Sequence, residues 1–460
     1  MWVTIKERRR LVVRKAYSLD MTQGPLVKKL LLFALPVLMS SLLQHLYSVV
    51  GNMVVGNFAQ NGTMAQAAIG ATNQATKMLL NLFLGISLGA NVVCARLRGA
   101  QDTPQLRKSM HTAMLMSVLL GVLLMLLGLG LSNTLLGMMK TPKDVFPYAL
   151  AYIRIIFLGM PATLAYNFGS AIMRSYGDTK RSMYILGVTG LINVLLNFLF
   201  VAGLHLDAAG VAMATIITQY LSALAVLWIL FSPKQQYKLQ LKELRLDRRL
   251  CWNIIAVGVP CGINGILQST SNVILQSTVN TFGKEVIAGT AAAADVSCFA
   301  YLVNDAFAAA CLSFAAQCCG ARIYKRLDKL AVTAALCDSV IVLAMATAIT
   351  VFARPLLHLF NPNPQVVDAG MFRLLLLSWT TVFFGISECL VGCVRGMGKS
   401  VTPTVINLFF LCGVRLAWAL FVFPFLPNDP AYLFLCYPLS WVLGLGAQAA
   451  SYIYNRKRLV

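Results

Sequence analysis

Residues 27–55 read VKKLLLFALPVLMSSLLQHLYSVVGNMVV, and after Lys29 the stretch holds no Lys, Arg, Asp or Glu. As a helix it is long enough to cross a hydrocarbon core of about 30 Å, which takes about 20 apolar residues. It is too long for a signal-peptide core and has no small-residue cleavage site, so it is expected to remain as a first span. Similar runs fill the rest of the chain. Helices are expected over 27–55, 66–95, 106–137, 147–173, 181–204, 208–232, 250–281, 286–319, 328–357, 366–394, 401–425 and 430–455. Composition agrees: 58% of residues are hydrophobic and 12% charged, against about 45–50% and about 25% in soluble domains. The fold class read from these runs is an all-α integral membrane protein with twelve transmembrane helices.

A net charge of +22 would suit a nucleic-acid partner if it formed a patch. It does not. Thirty of the 38 Lys and Arg fall before the first span, in every second connection, or after the last span. Asn57 to Met64, in an intervening connection, has none. This is the positive-inside pattern, which places both termini and the basic loops in the cytoplasm and assigns the charge to topology rather than to nucleic acid. The expected organisation is a basic cytoplasmic segment over 1–26, a six-helix bundle over 27–232, a basic linker over 233–249, a second bundle over 250–455 and a tail over 456–460.

The two bundles are related. Pro36 and Gln44 in the first helix precede Pro260 and Gln268 in the seventh by 224 residues, and Arg174 and Gly177 precede Arg395 and Gly398 by 221. Six spans per half is an even number, so the second half starts on the same side as the first and the repeat is parallel. The twelve Cys are mostly single within apolar runs and lack the spacing of zinc sites, so they read as small core residues. "RSYGDTK" and "RGMGKS" lack the spacing of a phosphate loop and read as tight cytoplasmic turns. With no ATPase motif and no catalytic constellation, an enzyme is not expected, and transport would draw on an ion or substrate gradient.

Several long segments, in order, resemble the multidrug and toxic compound extrusion (MATE) transporters: "DMTQGPLVKKLLLFALPVLMSSLLQHLY" from Asp20, "IGATNQATKMLLNLFLGISLGANVVCARLRGAQD" from Ile69, "YIRIIFLGMPATLAYNFGSAIMRSYGDTKR" from Tyr152, "GISECLVGCVRGMGKS" from Gly385 and "CGVRLAW" from Cys412. The resemblance covers nearly the whole chain. It implies an antiporter that exports amphipathic, often cationic, compounds in exchange for Na⁺ or H⁺, in a bacterial inner membrane, with no other cofactor. The chain departs from the family in one respect. Many members carry an aspartate in the first helix at the position of Gly51, and some pair Asn with Asp in the fifth helix where this chain has Asn193 and Asn197.

An acid in the bilayer centre costs about 2.5–3.5 kcal/mol on insertion scales and is functional by default. Of the sixteen acids, four fall well inside expected spans: Asp295 and Asp305 in the eighth helix, Asp338 in the ninth and Glu388 in the tenth. Glu388 is the first candidate for the coupling cation, including Na⁺, because Gly385, Cys389 and Gly392 around it allow close helix approach. The bland alternative pairs it with Arg373 or Arg415. Asp295 and Asp305 are further candidates for cation or substrate charge. Asp338 is read as lying nearer a helix end, paired with a cytoplasmic Lys or Arg. In the first half Ser41, His45, Ser48 and Asn52 share one helix face, as do Asn193 and Asn197. His45, Ser48, Asn52, Asn193, Asn197 and Gln268 are the expected substrate-cavity residues, and such groups also serve as interhelical hydrogen bonds. Lys77 is expected to snorkel.

The leading reading is a monomeric secondary antiporter working by alternating access, with amphipathic small molecules, a coupling cation and the lipid bilayer as its partners. Its rivals are a flippase for a lipid-linked saccharide precursor, for which Lys77, Arg154, Arg373 and Arg415 are the few available cations, and a membrane sensor or scaffold.

Overall fold

The computed structural model describes residues 19–139, 141–233, 238–427 and 429–459. Residues 1–18 of the expected basic segment, 234–237 of the expected linker and 460 of the tail lie outside the described residues. Among the described residues every regular element is a helix. Eleven helices are long and apolar enough to span a bilayer, and a bent pair makes a twelfth span. In order these are α1 Leu26–Phe58, α2 Gly62–Gly99, α3 Thr103–Met138, α4 (Phe146–Leu158 with Met160–Ser175), α5 Lys180–Gly203, α6 Asp207–Phe231, α7 Arg248–Val279, α8 Lys284–Gly320, α9 Tyr324–Phe360, α10 Pro364–Gly396, α11 Val401–Phe425 and α12 Pro430–Lys457. No expected end is displaced by more than four residues.

Local chemistry accounts for the irregularities. α4 bends by 44° at Gly159, because Pro161 has no N–H and its ring crowds the carbonyl of Phe157. In α9, Phe352 leaves the helical region (φ −106°, ψ 16°) three residues before Pro355. α5 and α11 each widen into a π-helical stretch, Phe198–Gly203 and Leu408–Gly413, directly after a buried asparagine, Asn197 and Asn407.

The backbone carries the repeat as well. Gln101 and Arg322, 221 residues apart, both adopt φ 57°. Gly177 and Gly398, also 221 apart, adopt φ 78° and 81°, where a Cβ is strained. Each closes its helix in the same way. Gly177 N–H donates to Arg174 O (2.8 Å) and Asp178 N–H to Met173 O (3.0 Å), while Gly398 N–H donates to Arg395 O (2.8 Å) and Lys399 N–H to Val394 O (3.2 Å). This is the Schellman pattern of a glycine-terminated helix. Both glycine motifs are therefore tight turns.

The chain forms two compact units, one gathering Met39–Gly262 and the other Met21–Leu38 with the chain from Ile263 onward. α1 and α7 thus each begin in one unit and continue in the other. In the first unit α2 meets the start of α7 through glycines, and a Cβ on Gly258 would fall 2.9 Å from Gly85 O. In the second unit Phe33 of α1 stands edge-on to Phe314 of α8, with centroids 5.7 Å apart. The Arg326 guanidinium gathers the carbonyls of Met21 (3.0 Å), Gln23 (2.8 Å) and Gly24 (2.9 Å) just before α1. α8 and α10 also approach closely: a Cβ on Gly392 would meet Ala308 O at 2.5 Å. Buried thiols Cys311, Cys389 and Cys393 are among the residues of α8 and α10, and all twelve Cys are free. Large apolar side chains such as Leu195, Trp228, Phe421 and Phe425 are exposed, as suits surfaces solvated by lipid tails.

Candidate functional site

Each unit encloses its own cavity. The cavity of the first is about 410 Å³. Ser48, Gly51 and Asn52 of α1, Tyr152, Tyr166 and Asn167 of α4, and Asn193 and Asn197 of α5 line it, and among the described residues no formally charged side chain does. Its polar groups are also bonded to one another: Asn197 Nδ2 donates to Asn193 Oδ1 (3.0 Å), Asn193 Nδ2 to Thr218 Oγ1 (3.2 Å), and Ser222 Oγ to Thr189 Oγ1 (2.9 Å). Asn193 and Asn197 thus line the cavity, and Asn193 also links α5 to α6. His45 is half-buried and does not line this cavity.

The cavity of the second unit, about 420 Å³, is chemically different. α7 offers Gln268, Asn272 and Gln276, one turn apart; α8 offers Ala294, Ser297, Tyr301 and Asp305 at helical spacing. Arg373 and Phe384 come from α10, Arg415 from α11, and Tyr437 and Trp441 from α12. The rings form an aromatic wall, with Tyr301–Phe384 centroids at 5.6 Å, Phe384–Trp441 at 5.8 Å and Tyr437–Trp441 at 5.7 Å.

The acids gather beside this cavity. Asp305 faces its open space. Glu388, 6% exposed, lies one turn beyond Phe384 on α10 and is not a lining residue. Asp338 of α9 is 0% exposed, and neither of its carboxylate oxygens has a hydrogen-bond partner. Asn304, also 0% exposed, has both its amide oxygen and its amide nitrogen unpartnered. Asn304 and Asp338 converge on Gly385, where a Cβ would run into the Asp338 carboxylate and reach Asn304 Oδ1 at 2.7 Å. The absent side chain of Gly385 makes room for both. Asp305 directly follows Asn304 on α8 and Glu388 lies three residues beyond Gly385 on α10, so the three acids come from one neighbourhood.

Two expectations are corrected here. Asp338 is not near a helix end: α9 begins at Tyr324, which puts Asp338 about 21 Å along the helix at about 1.5 Å per residue. No Lys or Arg stands within ion-pair distance of it among the described residues. Glu388 likewise forms no ion pair with Arg373 or Arg415, the alternative weighed for it, among the described residues. Of the remaining candidates, Gln268 lines the second cavity, whereas Asp295 is exposed and lines neither cavity, as do Lys77 and Arg154. Arg373 and Arg415 are the cavity residues whose importance the sequence reading understated. The signal was present in both being arginines inside apolar spans.

A helical membrane protein built from two repeat-related six-span halves, with polar cavities among the spans, has the architecture of a secondary transporter. The MatE family model matches residues 36–199 and again 260–420, and the chain belongs to this family, the MATE transporters. The double match is the internal repeat seen independently in the two halves. The chain is similar to the Bacillus subtilis (strain 168) protein named "Probable multidrug resistance protein YoeA", with 27% identity over 423 residues covering 90% of each chain. It is also similar to the protein named "FAD transporter" of Shewanella oneidensis, with 25% identity over 397 residues covering 84% of this chain and 85% of that one. Its fold matches a solved outward-facing multidrug resistance MATE family transporter of the MOP superfamily at a TM-score of 0.87 and 20% identity, over 95% of this chain and 97% of that one.

Proposed function

We propose that this protein is a secondary antiporter that exports amphipathic small molecules by alternating access in exchange for inward-moving H⁺ or Na⁺. One observation carries the reading: Asp305, Asp338 and Glu388 cluster deep in the second unit beside a cavity of drug size, without an ion-pair partner among the described residues. Uncompensated carboxylates at membrane depth persist where a cation is bound and released. In this scheme Glu388 and Asp305 take the coupling cation, Asp338 tunes them, and the cavity holds the substrate. Among the described residues no three His, Cys, Asp or Glu side chains converge as metal ligands. A Na⁺ at Glu388 would therefore complete its shell with neutral oxygens, as cation filters do with carbonyls. Asp295 lies outside this scheme. The first unit contributes a neutral polar wall from Ser48, Asn52, Asn193 and Asn197. The protein is expected to act as a monomer in the plasma membrane with both termini cytoplasmic, following its Lys and Arg asymmetry. The names of its relatives, which speak of multidrug resistance and FAD transport, support small-molecule export.

The test is transport in proteoliposomes under an imposed pH or Na⁺ gradient, with substrate-dependent pH change and Na⁺ flux read in parallel. Glu388→Gln is expected to abolish gradient-driven export. Export by this variant at the wild-type rate would remove Glu388 from the mechanism.

A second reading, a flippase for a lipid-linked saccharide precursor, is favoured by the presence of Arg373 and Arg415 in one cavity. It requires movement of a lipid-linked pyrophosphate that is indifferent to either gradient.

A further inference from the structure

Resting on the antiporter reading above, we propose that the cavity of the second unit selects an aromatic organic anion, a carboxylate or phosphate carried on a fused ring system, and not a bare organic cation.

Three charged side chains line the cavity: Asp305, Arg373 and Arg415. Neither guanidinium has a carboxylate within ion-pair distance among the described residues. An unpaired charge in an apolar interior is costly, and both arginines lie well inside membrane spans, α10 and α11. Each is instead fixed by a neutral acceptor and by aromatic faces. Arg373 Nη1 donates to Thr290 O, and its Cζ lies 5.4 Å from the Phe434 centroid. Arg415 Nε donates to Ser440 Oγ (3.1 Å), and its Cζ sits over Tyr437 at 4.4 Å and Trp441 at 5.8 Å. The two line one cavity together with Tyr301, Phe434, Tyr437 and Trp441.

The neutral groups point the same way. Arg373 Nε–H and Trp441 Nε1–H are buried donors with no acceptor, and Trp441 is 1% exposed. A ligand that supplies acceptor oxygens meets the two guanidiniums by charge-assisted bonds, which a guanidinium forms best with carboxylate or phosphate. The wall of Tyr301, Phe384 and Trp441 offers ring faces and edges to a planar ligand. A cavity of about 420 Å³ is within the range that encloses a drug-sized molecule. A monocation placed here would find one carboxylate, Asp305, against two guanidiniums.

Fluorescein and rhodamine 123 share a xanthene ring and carry opposite net charge, fluorescein with a free carboxylate where rhodamine 123 has its methyl ester. Binding of each to the purified full chain in neutral detergent is followed by fluorescence anisotropy. Fluorescein is expected to bind at least tenfold more tightly than rhodamine 123. Arg373→Gln and Arg415→Gln should each weaken fluorescein at least tenfold while leaving rhodamine 123 unchanged or improved, and the Lys variants should fall between. Equal or tighter binding of rhodamine 123 to the wild type overturns the inference without any variant, and so does unchanged fluorescein affinity in the double Gln variant. The antiporter reading fails separately: it falls if neither dye moves in response to a pH or Na⁺ gradient, and it survives if rhodamine 123 is the dye that moves.

Discussion

Gly385 is the point where α8, α9 and α10 exchange space for polarity, and adding one methyl group there tests the whole arrangement. In Gly385→Ala the new Cβ overlaps the Asp338 carboxylate and stands 2.7 Å from Asn304 Oδ1 and 3.0 Å from Asp338 Cγ. Neither neighbour is a long flexible chain, and both are fully buried. Overpacking of this kind costs about 1–3 kcal/mol, or about 5- to 150-fold in the equilibrium between the native arrangement and a relaxed one. Two readouts are needed, the thermal unfolding midpoint in micelles and the initial rate of gradient-driven export, and both should fall. The shortest of these contacts is with the Asp338 carboxylate, so truncating that side chain should relieve part of the strain. In a double-mutant cycle with Asp338→Ser, the stability cost of Gly385→Ala should shrink by about 0.5–3 kcal/mol, as expected for residues in contact. Wild-type stability and export in Gly385→Ala, or an unchanged cost in the Asp338→Ser background, would refute the packing of these three helices around the acid.

Two further outcomes follow from other parts of the structure. His111 Nδ1 donates to Arg107 O (2.7 Å), which leaves Nε2 to accept the Gln240 N–H (2.9 Å) and tie the segment before α7 to α3. His111→Ala should lose about 0.5–1.5 kcal/mol and raise trypsin cleavage at Lys242 about two- to tenfold in inside-out vesicles, whereas unchanged cleavage would mean the tie is not needed. Gly398→Ala should cost about 1–2 kcal/mol for placing a side chain in the left-handed region, and Gly177→Ala carries that cost as a minimum. Gly177 should cost more than that figure because its Cβ would also meet Leu19 O at 2.7 Å; midpoints equal to wild type would contradict the turn geometry.

The span pattern was legible because insertion depends on local quantities, namely run length, charge-free stretches and the placement of Lys and Arg. The repeat was legible for a related reason: Gly177 and Gly398 close helices in turns whose positive φ demands glycine, three residues after Arg174 and Arg395. Features that depend on a neighbouring helix were not. The π-helical stretches after Asn197 and Asn407 leave no periodic mark, and the bend at Gly159 needed Pro161 to be weighed against an otherwise continuous run. Asp338 was misplaced because its depth depends on where α9 starts. The meeting of Asn304, Asp338 and Gly385 joins three helices whose sequence spacing says nothing of contact. The inequality of the halves was legible in outline. At the repeat spacing of 221, Glu388 corresponds to Asn167 and Arg373 to Tyr152, and both of those first-half residues line the neutral cavity.

The sharing of α1 and α7 between the units bears on how the chain is made. Phe33 emerges from the ribosome 281 residues before Phe314, its ring partner. At about 5–20 residues per second the beginning of α1 therefore waits for about 14–56 s before its own unit exists. The first unit waits too, since the close approach of Gly85 to Gly258 and Gly262 cannot form until α7 is synthesised. Neither half can finish while the other is untranslated, so a nascent chain halted in the linker would present two unfinished surfaces to the insertion machinery rather than one completed bundle.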